Sequence, residues 1–257
     1  MPISLEAPLG MVYAFLLVLA RVSGALVFVP LPGVTAVPAT ARAVLAVGFT
    51  LALAARWPAV DASSLTAARL TAWAIVEAGV GVAIGVAVSM IFETFVLAAQ
   101  ILGLHAGYAY ASTIDPTTQA DSGILLVFAQ LFAGLVFFAT GMDREILRLF
   151  ALSLDRIPPG AYRFGISSAE SLIDLGASLI SIALRLALPV VALLLLVDVA
   201  LALLARVNAQ LHLMTLAFPA KMLLTILVLS WMAVLFPTIC RDISGLAVAA
   251  AHRALGL

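Results

Sequence analysis

Six ionisable side chains stand within or at the edge of long apolar runs: Arg21, Glu77, Glu93, Arg185, Asp198 and Lys221. In hydrocarbon a central Arg, Lys or Asp costs roughly 2.5–3.5 kcal/mol on insertion scales, so such a charge either serves a function or finds a partner. The function open to it is lining a path for an ion, a proton or a solute. The structural alternative is pairing that fixes helix register, or snorkelling of a near-terminal charge to the headgroup boundary. Three of the six are basic and three acidic, which permits pairing within the chain or between subunits. Asp198 and Lys221 flank residues 206–211, the turn between the last two apolar runs, and are placed to orient it.

Other chemistry is missing. There is no G-x-x-x-x-G-K-[ST] loop for nucleotide phosphates and no G-x-S-x-G nucleophile elbow. His105, His212 and His252 are far apart and lack H-E-x-x-H or His/Cys ligand spacing. Asp198 has no second aspartate in the Gly-containing context of an intramembrane aspartyl protease. The chain reads as a non-enzyme with no metal or cofactor. Cys240 is the lone cysteine and forms no internal disulfide.

The elements that must carry these charges are helices in a membrane. The 257 residues are 65% hydrophobic and 10% charged, with 13 basic and 13 acidic side chains and a mean hydropathy of +1.22. That is too little charge for a soluble domain's shell, and a net charge of zero makes no case for nucleic acid. Spanning hydrocarbon takes roughly 20 apolar residues per helix. Six apolar segments stand out, at residues 9–29, 43–57, 71–102, 123–141, 175–204 and 211–236. None alternates with period two, which argues against a β-barrel. Residues 1–8 contain Glu6 but no Lys or Arg, so the first run reads as a retained span rather than a cleaved signal. The expected fold is all-α: a polytopic membrane protein of about six kinked hydrophobic helices in one integral membrane domain, residues 1–257.

The run lengths are uneven. Residues 43–57 are short for a span, whereas 71–102 and 175–204 must tilt, kink or leave the bilayer. Pro189 and Pro219 lie inside the last two runs and are the expected helix kinks. The carbonyl each proline frees is costly against lipid and acceptable against protein or a water-filled cavity. Residues 30–40, 59–68 and 143–174 are the linkers, the last being the longest polar stretch. Gly81 and Gly85 are four apart, the spacing that lets helix backbones approach closely. Gly103 and Gly107 loosen the end of the third run before Tyr108, Tyr110 and Ser112, and Asp115 can cap a helix opened by Pro116. By themselves these residues read equally as a hinged element or as a plain interhelical loop.

Three stretches in order resemble the FliR family of type III secretion export-gate proteins, flagellar and virulence-associated. The first is Arg21-Val-Ser-Gly24, Val29-Pro-Leu-Pro-Gly33, Val37-Pro38 and Arg42. The second is Gly107-Tyr-Ala-Tyr-Ala-Ser-Thr-Ile-Asp-Pro116. The third is Ala187-Leu-Pro-Val190, Leu196-Val-Asp-Val-Ala-Leu201, Leu204-Ala-Arg206 and Phe218-Pro-Ala-Lys221. The chain departs from the family pattern at Gly141-Met-Asp-Arg144 and at Ala209 and His212.

The resemblance implies an assembly role. A FliR-like chain joins FliP and FliQ in the conduit for unfolded flagellar export substrates, with FlhB and FlhA alongside, in the bacterial inner membrane at the flagellar basal body. It also implies a FliP-like part, residues 1–170, fused to a FliQ-like C-terminal hairpin, residues 171–257. Residues 103–121, with Gly103, Gly107, Tyr108, Tyr110, Ser112, Asp115 and Pro116, become the candidate pore plug. Use in a virulence system is the alternative. A small-solute transporter with a site among Glu77, Glu93, Asp198 and Lys221 is the rival from another class, against which stands the absence of two related halves. Orientation stays open: the positive-inside rule favours cytoplasmic termini, whereas the resemblance implies that the 206–211 turn faces the cytoplasm.

Overall fold

A backbone with no water to bond to must satisfy its amides within its own helices. The computed structural model describes residues 6–29, 38–61, 66–107, 124–139, 141–163, 165–207, 213–232 and 234–256. Within those residues the chain is helical, with no strand. The helices are α1 (Glu6–Phe28), α2 (Ala39–Ala52), α3 (Ala67–Ala106), α4 (Ile124–Ala139), α5 (Met142–Arg156), α6 (Ile166–Val207), α7 (Leu213–Met232) and α8 (Phe236–Leu255), with a 3-10 turn at Ala54–Arg56 after α2. The all-α membrane class is borne out, and each of the six apolar runs contains a helix among the described residues.

Length separates these helices. Among the described residues three are long and apolar enough to cross a membrane, within α1, α3 and α6, and Ala217–Met232 with Pro237–Leu255 makes a fourth if that bent pair is one span. α2 and the apolar part of α4 (Val127–Ala139) are shorter. At about 1.5 Å per residue the 40 residues of α3 and 42 of α6 each run to about 60 Å, twice a hydrocarbon core.

One expectation about linkers needs correction. Residues 143–174 are not one polar connection, because α5 occupies their first part. Its buried residues Met142, Ile146, Leu149, Phe150, Ser153 and Leu154 recur at helical spacing, with Asp143 and Glu145 in the first turn and Arg156 in the last, which suits the helix dipole. Helix α8 likewise lies beyond the last expected run. It buries Ile243, Ala247, Ala250, Ala251 and Ala254 while exposing Arg241, Asp242 and Arg253.

Contacts divide the chain into two units. One comprises Met1–Met90, Gly141–Gly176 and Ser244–Leu257; the other Ile91–Thr140 and Ala177–Ile243. In the first, α1 and α3 cross at backbone contact. A Cβ on Gly81 would strike the Arg21 carbonyl, one on Gly85 the Ala25 carbonyl, and one on Gly24 the Ala78 carbonyl. The small-residue spacing of Gly81 and Gly85 is thus used for close helix packing. In the second unit, Ala99, Leu102 and Ala106 of α3 form a core with Ala187, Val190, Val191 and Leu194 of α6 and Val228 of α7. Helices α6 and α7 continue through Pro189 and Pro219.

Candidate functional site

The crossing of α1 and α3 sets Arg21 against Glu77. Arg21 Nε donates to Glu77 Oε2 at 2.6 Å, and Nη2 lies 2.5 Å from the same oxygen; both side chains are 1% exposed. Arg21 Nη1 donates to Ser153 Oγ at 3.1 Å and Nη2 to the Ile157 carbonyl at 3.2 Å. The other carboxylate oxygen, Glu77 Oε1, accepts from the Gly160 amide at 3.2 Å. The pair therefore holds both ends of residues 157–160, the connection from α5 toward α6. Gly160 has φ +72°, where a side chain is strained, and a Cβ there would strike the Trp73 indole. The Arg69 guanidinium lies 5.3 Å from the centre of that ring. With its donors and acceptors turned onto Ser153, Ile157 and Gly160, this pair clamps a loop.

Sequence reasoning singled out Arg21 and Glu77 but not Ser153, Ile157 or Gly160. Two of these contribute only backbone groups, which leave no residue-type signal. The one available hint was the Pro158-Pro159-Gly160 turn.

In the second unit Lys221 links three helices. Its Nζ lies 2.5 Å from Asp198 Oδ1 and donates to the His105 carbonyl at 3.4 Å. That carbonyl belongs to the last turn of α3, whose terminal carbonyls have no helical partner. A cation at a helix C-terminus is also favoured by the dipole. Two residues on, Gly107 turns at φ +85°, and a Cβ there would lie 2.6 Å from the Phe218 ring. Lys221 and Phe218 of α7 thus meet the α3 end together. Expected as orienting groups for the 206–211 turn, Asp198 and Lys221 pair with each other and hold the α3 terminus. Residues 208–212 lie outside the described residues.

The remaining two charges differ. Glu93 on α3 and Arg185 on α6 are exposed, and neither makes an ion pair among the described residues. The candidate plug is described only at its root. Gly103 lies in α3, where an added Cβ would meet nothing within 4 Å, and Gly107 ends the helix. Tyr108, Tyr110, Ser112, Asp115 and Pro116 lie outside the described residues. Among the described residues no cluster of three or more His, Cys, Asp or Glu could hold a metal.

Long apolar helices, carbonyl-to-glycine crossings and paired intramembrane charges define an integral membrane protein whose polar groups hold helices together. The chain belongs to the bacterial export proteins, family 1, whose family model matches residues 12–246. It is 28% identical over 228 residues to the flagellar biosynthetic protein FliR of Escherichia coli (strain K12), covering 88% of this chain and 84% of that protein. Against FliR of Bacillus subtilis (strain 168) the identity is 28% over 259 residues, 95% of each chain. It is also 31% identical over 151 residues, 58% of each chain, to the surface presentation of antigens protein SpaR of Shigella flexneri. The resemblance to FliR carried by the three motifs is borne out.

Proposed function

We propose that this chain is a subunit of the flagellar type III protein export gate, forming with FliP- and FliQ-like proteins the inner-membrane conduit for unfolded export substrates. The observation that supports this most is α6. It runs about 60 Å, and only 22% of its most apolar 18-residue window is covered, against 56% for α3. A helix tilted by as much as 40° uses about 26 residues to cross a 30 Å core. The excess of apolar helix then needs protein around it. A subunit completed by its neighbours meets that need; a self-contained transporter does not.

In this reading residues 1–170 form a FliP-like part and 171–257 a FliQ-like hairpin, with FlhB and FlhA alongside at the basal body. Residues 103–121 close the conduit at rest, rooted where Lys221 and Phe218 meet the end of α3. The similarity to SpaR supports a second reading, a virulence secretion gate, over the shorter stretch it covers.

Removing the gene tests the reading. Export of flagellar subunits is expected to stop and to return with the intact gene; undiminished export contradicts it. Deleting residues 107–112 tests the closure. Ion leak is expected to rise with assembly preserved, and a normally assembled, ion-tight variant rejects the plug.

A further inference from the structure

Helix α6 carries one charge between Asp174 and Asp198, and that charge is Arg185. It lies 11 residues from one and 13 from the other, about 16 and 20 Å along the axis. Long basic side chains escape hydrocarbon by snorkelling only near helix ends. An exposed guanidinium at the middle of an apolar stretch needs an acceptor brought from elsewhere. The same residue has a second unmet polar group. Pro189, one turn on, lacks the amide that would bond the Arg185 carbonyl.

Water in the conduit or another polypeptide could satisfy both groups, and the neighbouring residues decide between them. Ile180, Leu184, Leu188, Leu195, Val199 and Leu203 follow at spacings of four to seven along the helix and are exposed at 54, 45, 57, 50, 57 and 62%. Ala177 and Ala192 complete the stripe and are also exposed. A wall facing water would be polar, whereas aliphatic residues at this spacing face lipid or a second helix, and lipid tails offer Arg185 no acceptor. An apolar stripe bordered by one cation matches a helix with aliphatic residues and one carboxylate.

From this placement we infer that the Arg185 face of α6 is a subunit interface, occupied by a membrane helix of a different polypeptide that presents an Asp or Glu to Arg185. The inference rests on the export-gate reading and adds to it the surface and the partner chemistry. Arg185 sets the register of that contact, and the donor-deficient carbonyl beside it favours a partner hydroxyl or amine at the same level.

Photo-crosslinking groups placed at Leu188 and Leu195, in cells producing the whole export system, test it. Adducts should map to a membrane helix of another subunit with an Asp or Glu within one turn of the linked residue. Reversing that carboxylate to Lys should lower recovery of the assembled complex about tenfold, and Arg185→Glu should restore it. Adducts to a second copy of this chain, adducts to lipid alone, or no rescue by the charge swap would overturn the inference. So would rapid reaction of Arg185→Cys, in a Cys240→Ala background, with a water-soluble maleimide in the assembled complex. If the wild-type chain recovers no other subunit, the export-gate reading itself fails. If the complex forms but α6 does not crosslink to it, only the interface fails.

Discussion

At the scale of single residues, position within the network decides what each intramembrane charge does. Arg21 and Glu77 face each other at 1% exposure and hold a loop through Ile157 and Gly160. Removing one member of such a pair leaves the other as a buried uncompensated charge, a loss of about 3–5 kcal/mol. Arg21→Met or Glu77→Leu alone should therefore sharply reduce folded protein in detergent. The double variant should recover much of it, because apolar replacement of both partners is often tolerated. Thermal unfolding monitored by fluorescence in detergent distinguishes the cases; equal losses in the singles and the double would contradict the clamp. Lys221 is less buried and its partner Asp198 is half exposed, so the contribution of that pair to stability is smaller. Its consequence is local. Lys221→Met should increase hydrogen exchange in the last turn of α3 with little change in the melting midpoint, and unchanged exchange there would reject the Lys221–His105 link.

At the scale of elements, some helical glycines touch backbone and others touch nothing. Gly81 meets the Arg21 carbonyl, whereas a Cβ on Gly48 or Gly103 meets nothing within 4 Å. Gly81→Leu should push α1 from α3 and prevent accumulation of folded protein. Gly48→Ala and Gly103→Ala should leave stability unchanged or raise it by up to about 1 kcal/mol, since alanine is the better helix residue. Membrane yield and melting temperature check all three, and tolerance of Gly81→Leu would refute the close crossing. This contrast shows what was legible beforehand. The Gly81–Gly85 spacing announced a tight helix contact because small residues four apart have few other uses in a membrane helix. Its partner on α1 carries the weaker Ala20–Gly24 spacing, which does not say which helix it meets. The six apolar runs were readable because continuous hydrophobicity is a strong signal. Helices α5 and α8 were not, because charged and polar residues interrupt both, so that neither forms a continuous apolar run. The Arg21–Glu77 pair was visible as two charges out of place. Its attachment to residues 157–160 depends on contacts far apart in sequence and made largely by backbone.

At the scale of the molecule, surface and length point outward. Helices α3 and α6, of 40 and 42 residues, exceed what a bilayer of about 30 Å can cover at ordinary tilts. Most of the apolar stretch of α6 is uncovered, and Arg185 stands exposed in the same helix. Both features make sense in a chain finished by neighbours. They agree with membership in a bacterial export family over residues 12–246. The most direct measurement is the state of the purified chain, produced alone and together with the FliP- and FliQ-like proteins proposed as its partners. Alone it should aggregate or be degraded, and together it should elute as one stable hetero-oligomer. A monodisperse, long-lived monomer that binds a small solute would contradict the account.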